Sequence, residues 1–493
     1  VGRDGIHGAT FSSEALTSGS PATAVQIGDP ITQKKLSDAI VKEARDKNLY
    51  NSITDNGAGG LSCSVAEMAR ESGGFEVDLN KVPLKYPGLS PWQIWVSESQ
   101  ERMTLSVPKE KCDEFIELMN RRGVEATIIG TFNDSGRGVV YHNEKKVFDL
   151  DMNFLHDGLP KKKLQTTYTK DHTYYPDFHE PHQEITLFKM LSRLNCASFA
   201  FISSQYDYEV QGNSVIKPLQ GRGQVNGNTT VIRPLLDSMK GVVLSQGLYP
   251  SYSDIDTYWM AACSIDTAIR NAVATGGTLD RLALLDNFCW CDSNNPERLG
   301  QLKAAARACY DFAVDYGTPY ISGKDSMFND FKGYDERFDE VFISIPPTLL
   351  ISSIGVIDDV SLCQTIDFKN EGDLIYIVGE TADELGGSEY LAHIGEDLEG
   401  EKYIGTTVPK VYADVFMKQY RVIEKAFQEK LISSSISVER GGVALAVSKS
   451  AMAGVLGYSI DLRAVPIKSD DPSEEIFDRN DAILYSESQG RII

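Results

Sequence analysis

Asp55 stands at the end of a short apolar run, followed by a glycine-rich turn and then a helical pattern, ITDNGAGGLSCSVAEMARESGG, with Leu61, Val65 and Met68 on one face. The backbone N–H groups of such a turn and the positive end of the helix can receive phosphate. An acidic residue beside them can hold Mg²⁺ on the phosphate oxygens. The pattern serves equally as a structural turn in which the aspartate is a cap. ISGKDSM at 321–327 offers Lys324 to a phosphate, but five residues separate Gly317 from Gly323 and Asp325 follows the lysine, so it is not a P-loop. What remains is a strand-end turn of small and charged groups. Asp286 and Asn287 close the apolar run in LLDNFCWCD, as turn-forming residues or as ligand contacts. In IWVSESQERMTL, Glu98 and Gln100 alternate with Ser97 and Ser99, which predicts a strand with one pair on each side, either edge decoration or a binding edge. His172, His179, Glu180 and His182 fall within one polar stretch, read as a solvated linker because nothing fixes a metal geometry there. The eight cysteines form no C-x-x-C pair and read as buried free thiols.

These residues need elements to hold them. GDPITQKKLSDAIVKEA predicts a helix capped by Asp29, with Pro30 at its first position. DIDTYWMAACSIDTAIRNAVATGG places Trp259, Ala262, Ile265, Ile269 and Val273 on one face and stops at Gly276, and a second helix runs from Asn295-Pro296 to Gly317. The apolar runs LALLDNFCW and GDLIYIVGE predict strands. The class is α/β or α+β.

At 493 residues the chain is too long for one core, and its composition is that of a globular protein. The net charge of −22 argues against partnership with nucleic acid or an anionic membrane surface, and no run is long and apolar enough to span a bilayer. A start at VGRDGIHGATFSS, without an initiator Met or signal peptide, suggests a piece of something longer. SESQERMTL at 97–105 recurs as SESQGRII at 486–493, and GAGGLSCSVAEMA at 57–69 matches ERGGVALAVSKSAMA at 439–453. The nearly equal offsets indicate a duplicated unit of roughly 380 residues, one copy incomplete. We therefore expect a first B-type domain at 1–165, a linker at 166–190, an A-type domain at 191–362 and a second, truncated B-type domain at 363–493.

Together GRDGIHGATFSS, AVQIGDP, ITDNGAGGLS, SESQERM, LLDNFCWCDSNNPE and SGKDSM resemble the small-subunit form of formylglycinamide ribonucleotide amidotransferase, or phosphoribosylformylglycinamidine synthase, over almost the whole chain. The resemblance implies duplicated aminoimidazole-ribonucleotide-synthetase-like A and B domains, present here as B1-A2-B2. It implies ATP and Mg²⁺, formylglycinamide ribonucleotide as substrate, and a cytoplasmic setting. Ammonia would come from a glutaminase, with a small bridging subunit or domain, because no Cys-His-Glu glutaminase pattern is present. By the same resemblance Gln26, Glu98, Ser99, Gln100 and Ser326 would bind the ribonucleotide, Asp55 would hold the metal, and Asp286, Gly323 and Lys324 would contact ATP. The family's catalytic His lies in the missing A domain, so no catalytic residue is assigned, His7 is read as structural, and the fragment is expected to be inactive alone. Two departures stand out. Lys324 replaces a metal-ligating Asn and would meet phosphate as a charge, and Ser437 replaces an Asp, which weakens any nucleotide or metal site in the second copy. A non-catalytic nucleotide-binding or structural half is the alternative. Single A-B relatives, aminoimidazole ribonucleotide synthetase and selenophosphate synthetase, lack the internal repeat.

Overall fold

A computed structural model of the chain describes residues 1–3, 28–169, 176, 178, 183–468 and 479–493. They form two compact units, one of 1–164 with 329–343, the other of 165–328 with 344–493.

In the first unit, Asp29 caps helix α1 (Pro30–Ala39), its carboxylate accepting from the Ile31 N–H at 3.1 Å, and the helix continues into a π-helical turn at Ile40–Ala44. Strand β1 (Ser52–Asp55) leads through the glycine turn into α2 (Leu61–Ser72) and β2 (Gly74–Asp78). Helix α3 (Pro91–Val96), strand β3 (Met103–Ser106) and helix α4 (Cys112–Arg121) follow, then β4 (Gly130–Asn133), β5 (Arg137–His142), β6 (Lys145–Asp151) and α5 (Met152–Asp157). β1 pairs antiparallel with β3, Asp55 opposite Met103, and a four-stranded sheet runs β4-β2-β5-β6. The inner face of α2 (Leu61, Val65, Ala66, Ala69) packs on Phe75 and Val77 of β2, and Trp95 of α3 stacks on Phe75 with ring centroids 5.9 Å apart.

The expected strand through SESQ is absent. Pro91 opens α3 and the Ser90 N–H donates to the Gln93 side chain at 2.9 Å, so the chain leaves a helix at Ser97 and stays irregular until Met103. Its carbonyls are satisfied by a guanidinium instead of a strand partner: Arg102 Nε donates to Ser99 O at 2.7 Å and Nη2 to Ser97 O.

The second unit begins with residues expected to be linker, yet helix α6 (Gln183–Ser192) forms there and buries Met190. Strands β7 (Ser214–Ile216), β8 (Leu219–Gln220), β9 (Val225–Asn226), β10 (Thr229–Ile232) and β11 (Gly241–Leu248) precede the long helix α7 (Thr257–Ala274). Then come β12 (Leu282–Cys289), α8 (Pro296–Tyr316), β13 (Tyr320–Ser326), the hairpin β14 (Phe331–Tyr334) and β15 (Glu340–Ile343) that groups with the first unit, and β16 (Thr348–Ile357). The six-stranded sheet runs β13-β12-β16-β11-β10-β7, with only β12 and β13 parallel. Asn295 caps α8 by accepting from the Glu297 and Arg298 N–H groups, and left-handed Gly317 ends it, as the sequence predicts. α7 lies between the sheet and other helices. Ala262, Ile265, Ile269 and Val273 are fully buried, and so are Asp266 and Arg270.

Helices α9 (Ala413–Gln428), α10 (Gly442–Gly454) and α11 (Asn480–Tyr485) complete this unit. GDLIYIVGE is not a strand. Leu374 and Tyr376 are exposed, and of this run only Val378 finds a ladder partner, exchanging N–H to O bonds of 2.9 and 3.0 Å with Ile492.

Candidate functional site

The glycine turn at the N-terminus of α2 is held from three sides. Asn56 is buried and accepts from Thr104 Oγ1 of β3 at 2.8 Å, and Thr104 shares a 2.8 Å hydrogen bond with Ser64 of α2. Gly60 has φ +59°, and a Cβ there would overlap the Ser97 carbonyl, so the SESQ loop lies directly against the turn. Within the loop, Ser97 Oγ donates to Gly2 O at 2.9 Å, and Ser99 Oγ accepts from the Gly2 N–H at 3.0 Å and lies 2.9 Å from Ser97 Oγ. The Ser99 hydroxyl is thus committed within the chain. Glu98 and Gln100 are half-buried, with Gln100 Nε2 donating to Glu98 O at 3.2 Å. Burial pushes the Arg102 guanidinium down to about 10. Asp55 is exposed at the lip of the turn.

One exposed carboxylate beside backbone N–H groups suits a hard cation that takes its remaining ligands from phosphate and water. Among the described residues no three His, Cys, Asp or Glu side chains gather into a metal site of their own. Gln26 and the His172, His179, Glu180, His182 group lie outside the described residues.

A second cluster sits on the parallel pair of the other unit. Asp286 of β12 is in register with Gly323 of β13, and a Cβ on Gly323 would overlap Asp286 Oδ1. The glycine therefore makes the room that the carboxylate occupies. Burial raises the Asp286 carboxyl above its ordinary value, with Asp325 adding to the effect. Strand alternation puts Asp286 on the face of buried Leu284 and Phe288, whereas Lys324 and Ser326 are in register with Asn287 and Cys289 on the opposite face. The structure thus joins Asp286 to Gly323 but not to Lys324, which is exposed and donates to Asp325 O at 2.8 Å. Ser326 Oγ donates to Phe288 O at 3.3 Å.

The second SESQ segment, 486–489, is also a loop and repeats the first in detail. Arg491 Nε donates to Ser488 O at 2.9 Å and Nη2 to Ser486 O at 2.5 Å, while Gln489 Nε2 donates to Glu487 O at 3.0 Å. Here, however, the glutamate is sealed in. Glu487 accepts from Tyr252 O–H at 2.6 Å and from the Gly441 and Glu389 N–H groups at 2.9 and 3.0 Å, and burial pushes its carboxyl up to about 7. Beside it Arg270 pairs with Asp266 and donates to Ser437 Oγ at 2.6 Å, Gln489 Oε1 at 3.0 Å and Val438 O at 3.1 Å. Tyr316 and Tyr420 donate their hydroxyls to Asp266 at 2.7 and 2.5 Å. Sequence reasoning missed this network. The available signal was an Asp and an Arg one turn apart inside the otherwise apolar SIDTAIRNAVA.

The comparisons agree with this arrangement of elements. The family model described as AIR synthase related protein, C-terminal domain, matches residues 1–143 and 370–493. The chain is similar to phosphoribosylformylglycinamidine synthase subunit PurL of Thermoplasma volcanium, 32% identical over 503 residues covering 100% of this chain and 62% of that protein. Among solved structures it resembles Thermotoga maritima PurL complexed with ATP (TM-score 0.58, 20% identity, covering 86% of this chain and 59% of that one). It resembles the same protein complexed with FGAR at TM-score 0.60 and 23% identity, covering 88% and 60%. The chain spans about three fifths of the length of the proteins it matches, and by the match at 1–143 and 370–493 it belongs to the AIR synthase related proteins.

Proposed function

We propose that the chain is the larger part of a synthetase subunit that converts formylglycinamide ribonucleotide and ammonia to formylglycinamidine ribonucleotide. ATP would phosphorylate the formamide oxygen, and ammonia would displace that phosphate to give the amidine, ADP and phosphate. The observation that carries this reading is the glycine turn at the N-terminus of α2, locked against the SESQ loop, with Asp55 exposed at its lip. Asp55 would hold Mg²⁺, which would neutralise phosphate charge when bound. Glu98 and Gln100, with Gln26, would contact the ribonucleotide, and Ser99 would hold their loop in place through its bonds to Gly2 and Ser97. Asp286 and Gly323 would meet ATP, and Lys324 would meet phosphate from the other face of its strand.

The similarity to a protein named as a subunit, and to one solved with ATP and with FGAR, supports the reading. A glutaminase and a small bridging subunit or domain would supply the ammonia, in the cytoplasm. Among the described residues no helix is long and apolar enough to cross a membrane. The paired loops, each wrapped on an arginine, support an internal duplication, with domains near 1–165, 191–362 and 363–493.

For the second copy a non-catalytic role is favoured by the geometry, because Glu487 already takes the Gly441 N–H at its glycine turn and Ser437 is held by Arg270. Calorimetric titration of the chain with Mg²⁺ and formylglycinamide ribonucleotide or ATP tests the reading. Binding that Asp55→Asn weakens at least tenfold supports it. Equal affinity in both proteins would remove Asp55 from the site.

A further inference from the structure

Asn271 of α7 and Ser435 are both more than nine-tenths buried and line one small cavity together with Gln220, Thr229, Ile366 and Ser437. Most polar atoms around it are already used. Asn271 Nδ2 donates to Gln246 O at 3.1 Å, which fixes the amide orientation, and its backbone carbonyl accepts from Thr229 and Thr275 hydroxyls at 3.0 and 3.1 Å. Gln220 Oε1 accepts from the Ile366 N–H at 2.9 Å, and Ser437 Oγ accepts from Arg270 Nε at 2.6 Å. Two fully buried side-chain atoms of this lining, Asn271 Oδ1 and Ser435 Oγ, have no partner among the described residues.

The space open to the centre of a water molecule is about 10 Å³, enough for one. No charged side chain lines it, so a cation there would lack a counter-charge. A buried acceptor without a donor is unfavourable, and a neutral donor of water size removes the penalty for both atoms together. We propose that this cavity is a binding site for one water molecule that donates to Asn271 Oδ1 and bonds Ser435 Oγ. The water links helix α7 to the segment around Ser435, beside Gln220 of the β8–β9 hairpin and Ile366, so it acts as a joint inside the second unit.

A high-resolution crystal structure of the full chain, with a parallel soak in thallium(I), tests this. The expected result is one solvent peak about 3 Å from both Asn271 Oδ1 and Ser435 Oγ, without anomalous signal after the soak. An empty cavity, a direct bond between the two side chains, or a thallium peak would overturn the proposal. Ser435→Val gives a second reading, since its extra methyl fills the space. The peak should vanish while the far-ultraviolet circular dichroism stays unchanged, and a peak that persists in the variant would refute the site.

Discussion

Glu487→Gln should remove a pH dependence from the second unit. The carboxyl is fully buried and rises from 4.5 to about 7, so above pH 7 the folded state holds a charge it would shed if it could. Because the folded state binds the proton more tightly, this group's contribution grows as pH falls through 7 and is complete below about 4.5. The gap, at about 1.36 kcal/mol per pH unit, makes the ionised form cost about 3 kcal/mol at pH 8 relative to pH 4.5. A glutamine keeps an acceptor for the Gly441 and Glu389 N–H groups and can turn its amide toward the Tyr252 oxygen, without the charge. Urea unfolding of both proteins between pH 5 and pH 8, followed by tryptophan fluorescence, isolates the term because every other titrating group cancels in the difference. The variant should gain on the wild type by roughly 1–3 kcal/mol across that range, most of it between pH 5 and 7, with little further change above pH 7. Parallel curves, or a variant weaker at pH 8 than at pH 5, would show that the three donors hold the carboxylate as a stable anion.

Gly323→Ala puts a methyl where Asp286 Oδ1 sits and should cost about 1–3 kcal/mol. If Asp286 meets ATP, calorimetry should show ATP affinity falling more than that for the ribonucleotide. Arg270→Met strips the counter-charge from fully buried Asp266 and should cost about 3–5 kcal/mol in urea unfolding. Adding Asp266→Asn should recover part of that loss, because the amide removes the charge while its oxygen still accepts from the Tyr316 and Tyr420 hydroxyls. Gly60→Ala forces a side chain onto a left-handed backbone and into the Ser97 carbonyl, so it should destabilise the first unit by about 1–3 kcal/mol. Hydrogen exchange should report it as faster exchange at residues 97–102.

The sequence made legible what depends on local chemistry. Asp29-Pro30 and Asn295-Pro296 announce helix starts, Gly317 announces a stop, and each signal works through bonds to its immediate neighbours. Asp286 and Gly323 were also both visible, but their contact depends on the register of two parallel strands, which no local pattern encodes. Alternation misled at SESQ, because polar residues spaced by two suit a strand and equally a loop whose carbonyls are gathered by an arginine two residues on. GDLIYIVGE has strand composition, yet a strand exists only where a partner runs alongside, and there the partner reaches a single residue. Arg270 was passed over because a charge in an apolar helix looks like an interruption until its partners, far along the chain, are in view.

Those partners bear on how the second unit assembles. Arg270 bonds to Ser437, Val438 and Gln489, which follow it by 167, 168 and 219 residues. Until they arrive, closing α7 against its neighbours would strand an under-solvated guanidinium with only Asp266 and Thr267 of its own helix as partners. Helix α7 can thus form early as a helix but cannot be sealed early. On the ribosome, the sheet and helices made first should wait, partly open, for the last residues of the second SESQ loop. Contacts of such long sequence separation slow folding and make it cooperative. Cutting the chain just before Ser486 should loosen residues made more than two hundred positions earlier.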